Sequence, residues 1–246
     1  MFVMMNAARF SVGVQGIGVA ERAYQRAVDY ARQRVQSRPV DGSAPAGAAI
    51  IHHPDVKRML MSMRAHIEGC RALACVSAAA FDTAHHHTDA AVRQQQQAFY
   101  EFTVPLVKGF STEMSIDVTS LGIQVHGGMG FIEETGAAQH FRDARILAIY
   151  EGTTAIQAND IVGRKTLRDK GAVAKALCAD IAATGKLETV VDPLTTKVAP
   201  VITFKSPVPK EPPAAKIIVP APTVVPPLLA LLLLEIVKVP GTKLKS

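Results

Sequence analysis

The chain of 246 residues has no tryptophan, only 5% aromatic residues and three cysteines. Each shortage excludes something. A mixture rich in alanine and valine and poor in rings suits closely packed helices, and 48% hydrophobic residues are enough for a sizeable core of one or two domains. The cysteines at 70, 75 and 178 are odd in number and contain no C-x-x-C pair, which fits a reducing cytoplasm rather than a disulfide framework. The longest apolar run, Leu228 to Leu234, falls far short of the roughly 20 residues of a membrane span. The opening MFVMMNAARFSVGVQG lacks the basic n-region of a signal peptide. The formal charge of +6 is also misleading. From Asp192 onward there are seven lysines against three acidic residues, so the rest of the chain is nearly balanced and offers no basic face for nucleic acid.

Two kinds of site are missing as well. No G-x-S-x-G context surrounds Ser111, Ser115 or a cysteine, and Cys70 and Cys75 read as core packing, so covalent catalysis is set aside. No H-E-x-x-H pair exists, and the runs His52-His53 and His85-His86-His87 point adjacent rings in different directions, so no metal site is expected.

What remains is helical. No stretch sustains an alternation of period two. Residues 3–36 predict one long helix in which Val12, Val19, Ala23 and Ala27 recur at helical spacing, while Gly13, Gly16 and Gly18 allow a neighbour to come close. A loop at 37–49 precedes a helix at 54–83, with Val56, Met59, Leu60, Met63, Ile67 and Leu73 as its apolar stripe. A polar break at 82–89 and a helix at 90–125 follow, with Pro105 expected to kink or split the latter. HGGMGF (126–131) reads as a turn, 133–149 as a shorter helix, and 152–170 as another with Gly171 at its C-cap. The fold class is therefore all-α: an antiparallel bundle of four to six helices in a domain at 1–188. Residues 189–246 hold eleven of the fifteen prolines and one of the seventeen glycines, and are expected to form an extended, disordered extension.

One short stretch poses a chemical question. In IYEGTTAIQ (149–157) a single carboxylate, Glu151, stands between an aromatic ring and a glycine. A glutamate that opens a helix is ordinarily a solvated residue that interacts with the positive end of the helix dipole. The sharper reading is a general base at the rim of an apolar pocket. Upstream, Gln124-Val125-His126-Gly127-Gly128 could bring backbone N–H groups to a phosphate or a flat cofactor edge, or could be only a turn.

The run QVHGGMGFIEETGAAQHFRDARILAIYEGTTAIQANDIVGRKTLRDKG (124–171) resembles the signature of the acyl-CoA dehydrogenase family's C-terminal helical domain. Residues 4–36 resemble that domain's first helix. IIHHPDVKRMLMSMRAHIEGCRALA (50–74) resembles the second helix of the subgroup that includes methylthiopropanoyl-CoA dehydrogenases. The likeness covers about residues 2–185. It implies FAD-dependent α,β-dehydrogenation of an acyl-CoA thioester, an acceptor of the electron-transfer-flavoprotein type, and a homo-oligomer.

By the same resemblance Glu151 is the base that takes the proton α to the thioester, with Tyr150 keeping water away and burial beside the flavin tuning its basicity. Some relatives carry the base on the first helix, but the matching Asn6-Ala7-Ala8-Arg9 has no carboxylate. Gly152 lets the thioester approach the backbone, Arg9 stands near the thioester end of CoA, and Asn6 stands where many relatives have Asp. Arg34 matches the arginine of an R-x-x-F-G element holding the FAD pyrophosphate or adenosine part across a subunit boundary, although Ser37 and Arg38 replace Phe and Gly. Gln124, Gly127 and Gly128 match the turn that meets the neighbouring subunit's FAD, and Thr153, Thr154 and Ala155 border FAD after the base. Arg142-Asp143 is expected to be a structural ion pair. The glycine-spaced face of the first helix and the GG turn are expected to receive a second subunit. Nothing reads as the family's N-terminal helical domain or its central β-domain, so the chain reads as the catalytic-base domain of a partial enzyme. The alternative is a non-catalytic helical oligomerisation module that has lost its cofactor.

Overall fold

The computed structural model describes residues 2–188, with side chains from 4 to 183. The expected extension 189–246, and the boundary placed before it, lie outside the described residues. Three long helices dominate: α1 (Phe2–Gln33), α2 (Pro54–His86) and α3 (Ala90–His126). No β-strand forms among the described residues. A single antiparallel bridge, Val35 to Ala49, ties the α1–α2 loop together.

Local chemistry sets the ends of these helices. Pro54 occupies the first turn of α2, where its missing N–H does no harm. The Asp89 side chain accepts from the Ala91 N–H at 2.8 Å and caps α3. α1 stops at Gln33, short of the expected residue 36. There the chain turns into the bridged loop, where the Arg34 carbonyl accepts from the Ile50 N–H at 2.8 Å. α2 runs on to His86, so His85 and His86 are helical. The His85 ring lies 4.1 Å from the Phe81 ring, and its Nδ1 is 2.8 Å from the Phe81 carbonyl.

The directions of the long helices follow from paired contacts. Gly13 faces Val107, Gly16 faces Ser111 and Tyr30 stacks on His126, so α1 and α3 run parallel. Ser77 of α2 bonds Thr103 of α3 at 2.8 Å, and Arg71 of α2 bonds Glu21 of α1. α2 is thus antiparallel to both. Sequential antiparallel pairing was expected, and two reversals necessarily restore the first direction.

α3 is the buried axis and touches α1, α2, α5, α6 and α7. It continues unbroken through Pro105, so of the expected kink or split the split does not occur. The residues from Phe102 to Gly109 are all buried, and packing on every side outweighs the ~3 kcal/mol that an interior proline costs. Every residue of the expected α2 stripe is buried or half-buried, as Val19 is on α1.

Several expectations are corrected. Gly13 and Gly16 face α3 of the same chain and are filled by it, so they are not a face left for a second subunit. Cys70 is buried, and burial pushes its thiol up to about 11, whereas Cys75 is exposed and packs in no core. The stretch expected as one helix at 133–149 divides into a 3₁₀ turn, Glu133–Thr135, and α5 (Ala137–Leu147), separated by Gly136 in the left-handed region. HGGMGF contains a short helix, α4 (Gly128–Phe131), after the turn at Gly127. Arg142 pairs with Glu133 at 2.5 Å while Asp143 accepts from Gln139, so the adjacent pair is not an ion pair. Neighbours in a helix diverge by about 100°, and bonds form to residues a turn away.

Beyond Glu151 the expected single helix is replaced by α6 (Thr154–Asn159) and a π-helical segment, Asp160–Thr166. Such wide turns occur often at functional sites. Gly171 ends this stretch in the left-handed region, with its N–H on the Thr166 carbonyl at 2.8 Å, and α7 (Ala172–Glu188) follows.

Candidate active site

Glu151 lies in the short loop between α5 and α6, with its side chain exposed and its backbone at φ 53°. A side chain that is neither Gly nor Asn rarely occupies this left-handed region, and such strain persists only where the surroundings over-determine it. Three tethers do so. The Tyr150 hydroxyl donates to the Gln15 side chain of α1. The Gly152 carbonyl accepts from Lys108 Nζ of α3 at 2.6 Å and from Gln157 Nε2 of α6 at 3.1 Å. The Thr154 hydroxyl donates to Glu113 of α3 at 2.5 Å. Thr153 also caps α6 through its hydroxyl to the Ile156 N–H at 3.4 Å.

Gly152 itself sits at φ 90°, and a Cβ there would come 2.8 Å from Gln157 Nε2. Glycine is required both by the backbone angle and by the amide that lies against it. Ala155 and Ile156 are exposed on the outer side of α6.

Beneath this loop is a buried charge network. Arg9, only 4% exposed, reaches Asp160 Oδ2 at 2.6 Å, and Arg164 reaches the other oxygen at 2.7 Å. Asn6 is buried and lines the adjoining groove with Glu101, Asp160, Arg164 and Lys165. Of the two residues expected on the substrate side, Asn6 lines this groove, whereas Arg9 is buried against Asp160 inside the bundle. Its Nε has no hydrogen-bond partner among the described residues. Burial holds the Lys108 ammonium below the ordinary lysine range, opposed by Glu113 and Glu151 and assisted by Arg9, so these four charges sense one another.

The other expected cofactor residues gather elsewhere. Arg34, Gln124, Gly127 and Gly128 line one groove of about 670 Å³ with Tyr30, His53 and His126. Gln124 is sixteen residues beyond Lys108 on α3, about 24 Å at 1.5 Å per residue. The two sets therefore form separate sites along α3. The groove fits a phosphate-bearing ligand. The exposed Arg34 guanidinium has no partner among the described residues. A Cβ at Gly128 would meet nothing within 4 Å, so packing inside the chain does not demand glycine there and a ligand can lie against the backbone. His126 closes the floor. It stacks on Tyr30 at 4.4 Å between centroids and its Nδ1 bonds the Gly122 carbonyl at 2.7 Å, while burial lowers its pKa and keeps the ring neutral near pH 7.

Sequence reasoning singled out the loop but missed Gln15, Lys108, Glu113 and Asp160. No local motif marks them: each is tied to a partner distant in the chain, 135 residues away for Gln15, 44 for Lys108, 41 for Glu113 and 151 for Asp160. Among the described residues no three His, Cys, Asp or Glu gather as a metal site, and no helix is long and apolar enough to cross a membrane.

Known proteins share this architecture. A family model described as "Acyl-CoA dehydrogenase, C-terminal domain" matches residues 2–166. A 3-methylmercaptopropionyl-CoA dehydrogenase of Ruegeria pomeroyi is 62% identical over 184 residues, which are 75% of this chain and 31% of that protein. A butyryl-CoA dehydrogenase of Syntrophomonas wolfei is 38% identical over 182 residues, 74% of this chain and 30% of that one. The solved butyryl-CoA dehydrogenase of Megasphaera elsdenii superposes with a TM-score of 0.54 at 28% identity, over 65% of this chain and 36% of its own. The chain spans about a third of the length of these relatives.

Proposed function

Since this chain belongs to the acyl-CoA dehydrogenase family by way of that family's C-terminal domain, we propose that it is the catalytic-base domain of an FAD-dependent enzyme that introduces a double bond between the α and β carbons of an acyl-CoA thioester. FAD, when bound, accepts the hydride that leaves the β carbon. Glu151 removes the α proton, which an ordinary solvated carboxylate is too weak a base to take, so the reading requires the flavin and further protein to cover the carboxylate. Thr153, Thr154 and Ala155 border the flavin served by that base. Arg34, Gln124, Gly127 and Gly128 hold the phosphate part of a neighbouring subunit's FAD, which makes a homo-oligomer part of the proposal. Gly152 leaves room for the thioester, and Asn6 and Arg9 stand near the thioester end of CoA.

The single observation that carries this reading is the strained backbone at Glu151, clamped from α1, α3 and α6 at once. A glutamate that merely opened a helix in water would need no such fixture. The names of the Ruegeria and Syntrophomonas relatives favour a short acyl chain as substrate. An acceptor of the electron-transfer-flavoprotein type and a cytoplasmic location complete the proposal.

The test joins this chain to the N-terminal and middle domains of the Ruegeria relative and follows acyl-CoA oxidation with an electron acceptor. Glu151→Gln should leave flavin content nearly unchanged and lower turnover by ~10²–10⁴-fold. Glu134→Gln, on an exposed 3₁₀ turn, should change it by less than about threefold. Near-normal turnover in Glu151→Gln would refute the base assignment. Absence of flavin absorbance from every assembly would leave the non-catalytic oligomerisation module as the account.

A further inference from the structure

We propose that Lys108 is a positioning residue for the base, its sealed ammonium holding the Gly152 carbonyl and thereby the backbone on which Glu151 is carried. The inference rests on the reading of Glu151 given above and adds to it a residue that no local motif marks.

The geometry gives three reasons. Lys108 is fully buried in the middle of α3, where a lysine is ordinarily excluded, and among the described residues no carboxylate lies within ion-pair distance of it. Its one hydrogen bond, 2.6 Å to the Gly152 carbonyl, crosses from the rigid axis of the bundle to the loop. A neutral donor already serves that carbonyl, since Gln157 Nε2 lies 3.1 Å away. Satisfying the carbonyl therefore does not require the lysine. Burying a cation is costly unless something compensates for it, and an apolar side chain would fill the space at lower cost. What the ammonium adds is a strong, charge-assisted bond to the residue next to Glu151, at the point where the backbone is strained.

The charges around it fit that role. Glu113 of α3 and Glu151 of the loop favour the ammonium electrostatically, and Arg9 of α1 opposes it. Glu113 in turn accepts from Thr154, so α3 grips the stretch just after the base through two side chains five residues apart, while Gln15 of α1 holds Tyr150 just before it. A rigid helix thus fixes the position of a group on a loop, and misplacement of about 1 Å can lower a rate on the order of 10²-fold.

The experiment has two arms. In the full 246-residue chain, Lys108→Met should raise amide exchange in peptides spanning 149–156 by at least about tenfold while leaving the exchange of α2 unchanged. In the FAD-loaded assembly described above, the same variant should lower kcat by at least about tenfold and change KM by less than about threefold. Unchanged exchange overturns the clamp, and raised exchange with unchanged kcat overturns the positioning role. If Lys108→Met does not fold, Lys108→Ala is measured with n-propylamine and with n-propanol. Recovery of protection by the amine alone supports the proposal. Equal recovery by the alcohol, or none by either, overturns it. Glu151→Gln run in parallel keeps the two ideas apart: retained turnover there sinks the base reading, whereas the exchange arm reads the clamp independently of turnover.

Discussion

A methyl group on Gly13 of α1 would fall 2.6 Å from the carbonyl oxygen of Val107 on α3 and 2.8 Å from its Cγ1. The two helices touch backbone to backbone, and the next residue of α3 after Val107 is Lys108. The helix spacing set at Gly13 therefore also sets the height at which the lysine meets the loop.

Gly13→Ala should force α1 and α3 apart and destabilise the chain by ~1–3 kcal/mol, the usual range for overpacking a tight contact. Gly18→Ala has open space around it in the same helix and should stabilise by up to ~1 kcal/mol through helix propensity alone. Urea unfolding of the two variants would check the pair, and equal effects would contradict the close contact at Gly13.

Removing the Asp160 charge leaves Arg9 as a buried cation with no carboxylate beside it. Asp160→Asn should therefore cost ~3–5 kcal/mol, much of it the penalty of the stranded guanidinium. For a domain of this size that corresponds to a melting point lower by about 10 °C. Pairing it with Arg9→Met should recover part of the loss, and a calorimetric cycle of the two would show this as a coupling of opposite sign.

Stability should also fall in mild acid. His126 and His140 both have pKa values lowered from 6.5, chiefly by burial and further by Arg26, so the folded chain resists a proton that the unfolded chain accepts. Their contribution is complete above about pH 6.5 and is lost as the pH drops below that value toward their folded pKa values. Unfolding midpoints measured from pH 8 to pH 5 should decline over the lower half of that range. His126→Phe, which keeps the stack on Tyr30, should flatten the decline.

The groove at Arg34 predicts its own ligand test. ADP, the pyrophosphate half of FAD, should bind there, and Arg34→Ala should weaken it by about tenfold or more, from the ~1.5–3 kcal/mol of a charged hydrogen bond. Gly128→Val should weaken binding without lowering the melting point, because a Cβ there meets no protein atom. Titration calorimetry with the free chain would read both, and unaltered affinity in both variants would move the phosphate site elsewhere.

Much of this protein was legible in its residues because the signals are local. The 3.6-residue recurrence of apolar positions gave the long helices to within a few residues, and IYEGTTAIQ pointed to Glu151. Cys75 and the Arg142-Asp143 pair misled for a related reason: proximity along a helix does not say which side of it faces the core. No split occurs at Pro105 because the burial that outweighs the cost of an interior proline cannot be read from sequence, while the cost can.

Sequence alone determined the composition of the core, the helical periods and the presence of a lone carboxylate beside a glycine. Only the tertiary structure decided that α1 and α3 run parallel, that Gly13 and Gly16 are filled by the same chain, and that Gln15, Lys108 and Glu113 converge on residues 150–154. The physical reason is range. Helix propensity and capping act over a turn or two, whereas a buried lysine finds its carbonyl 44 residues away only after the chain has packed.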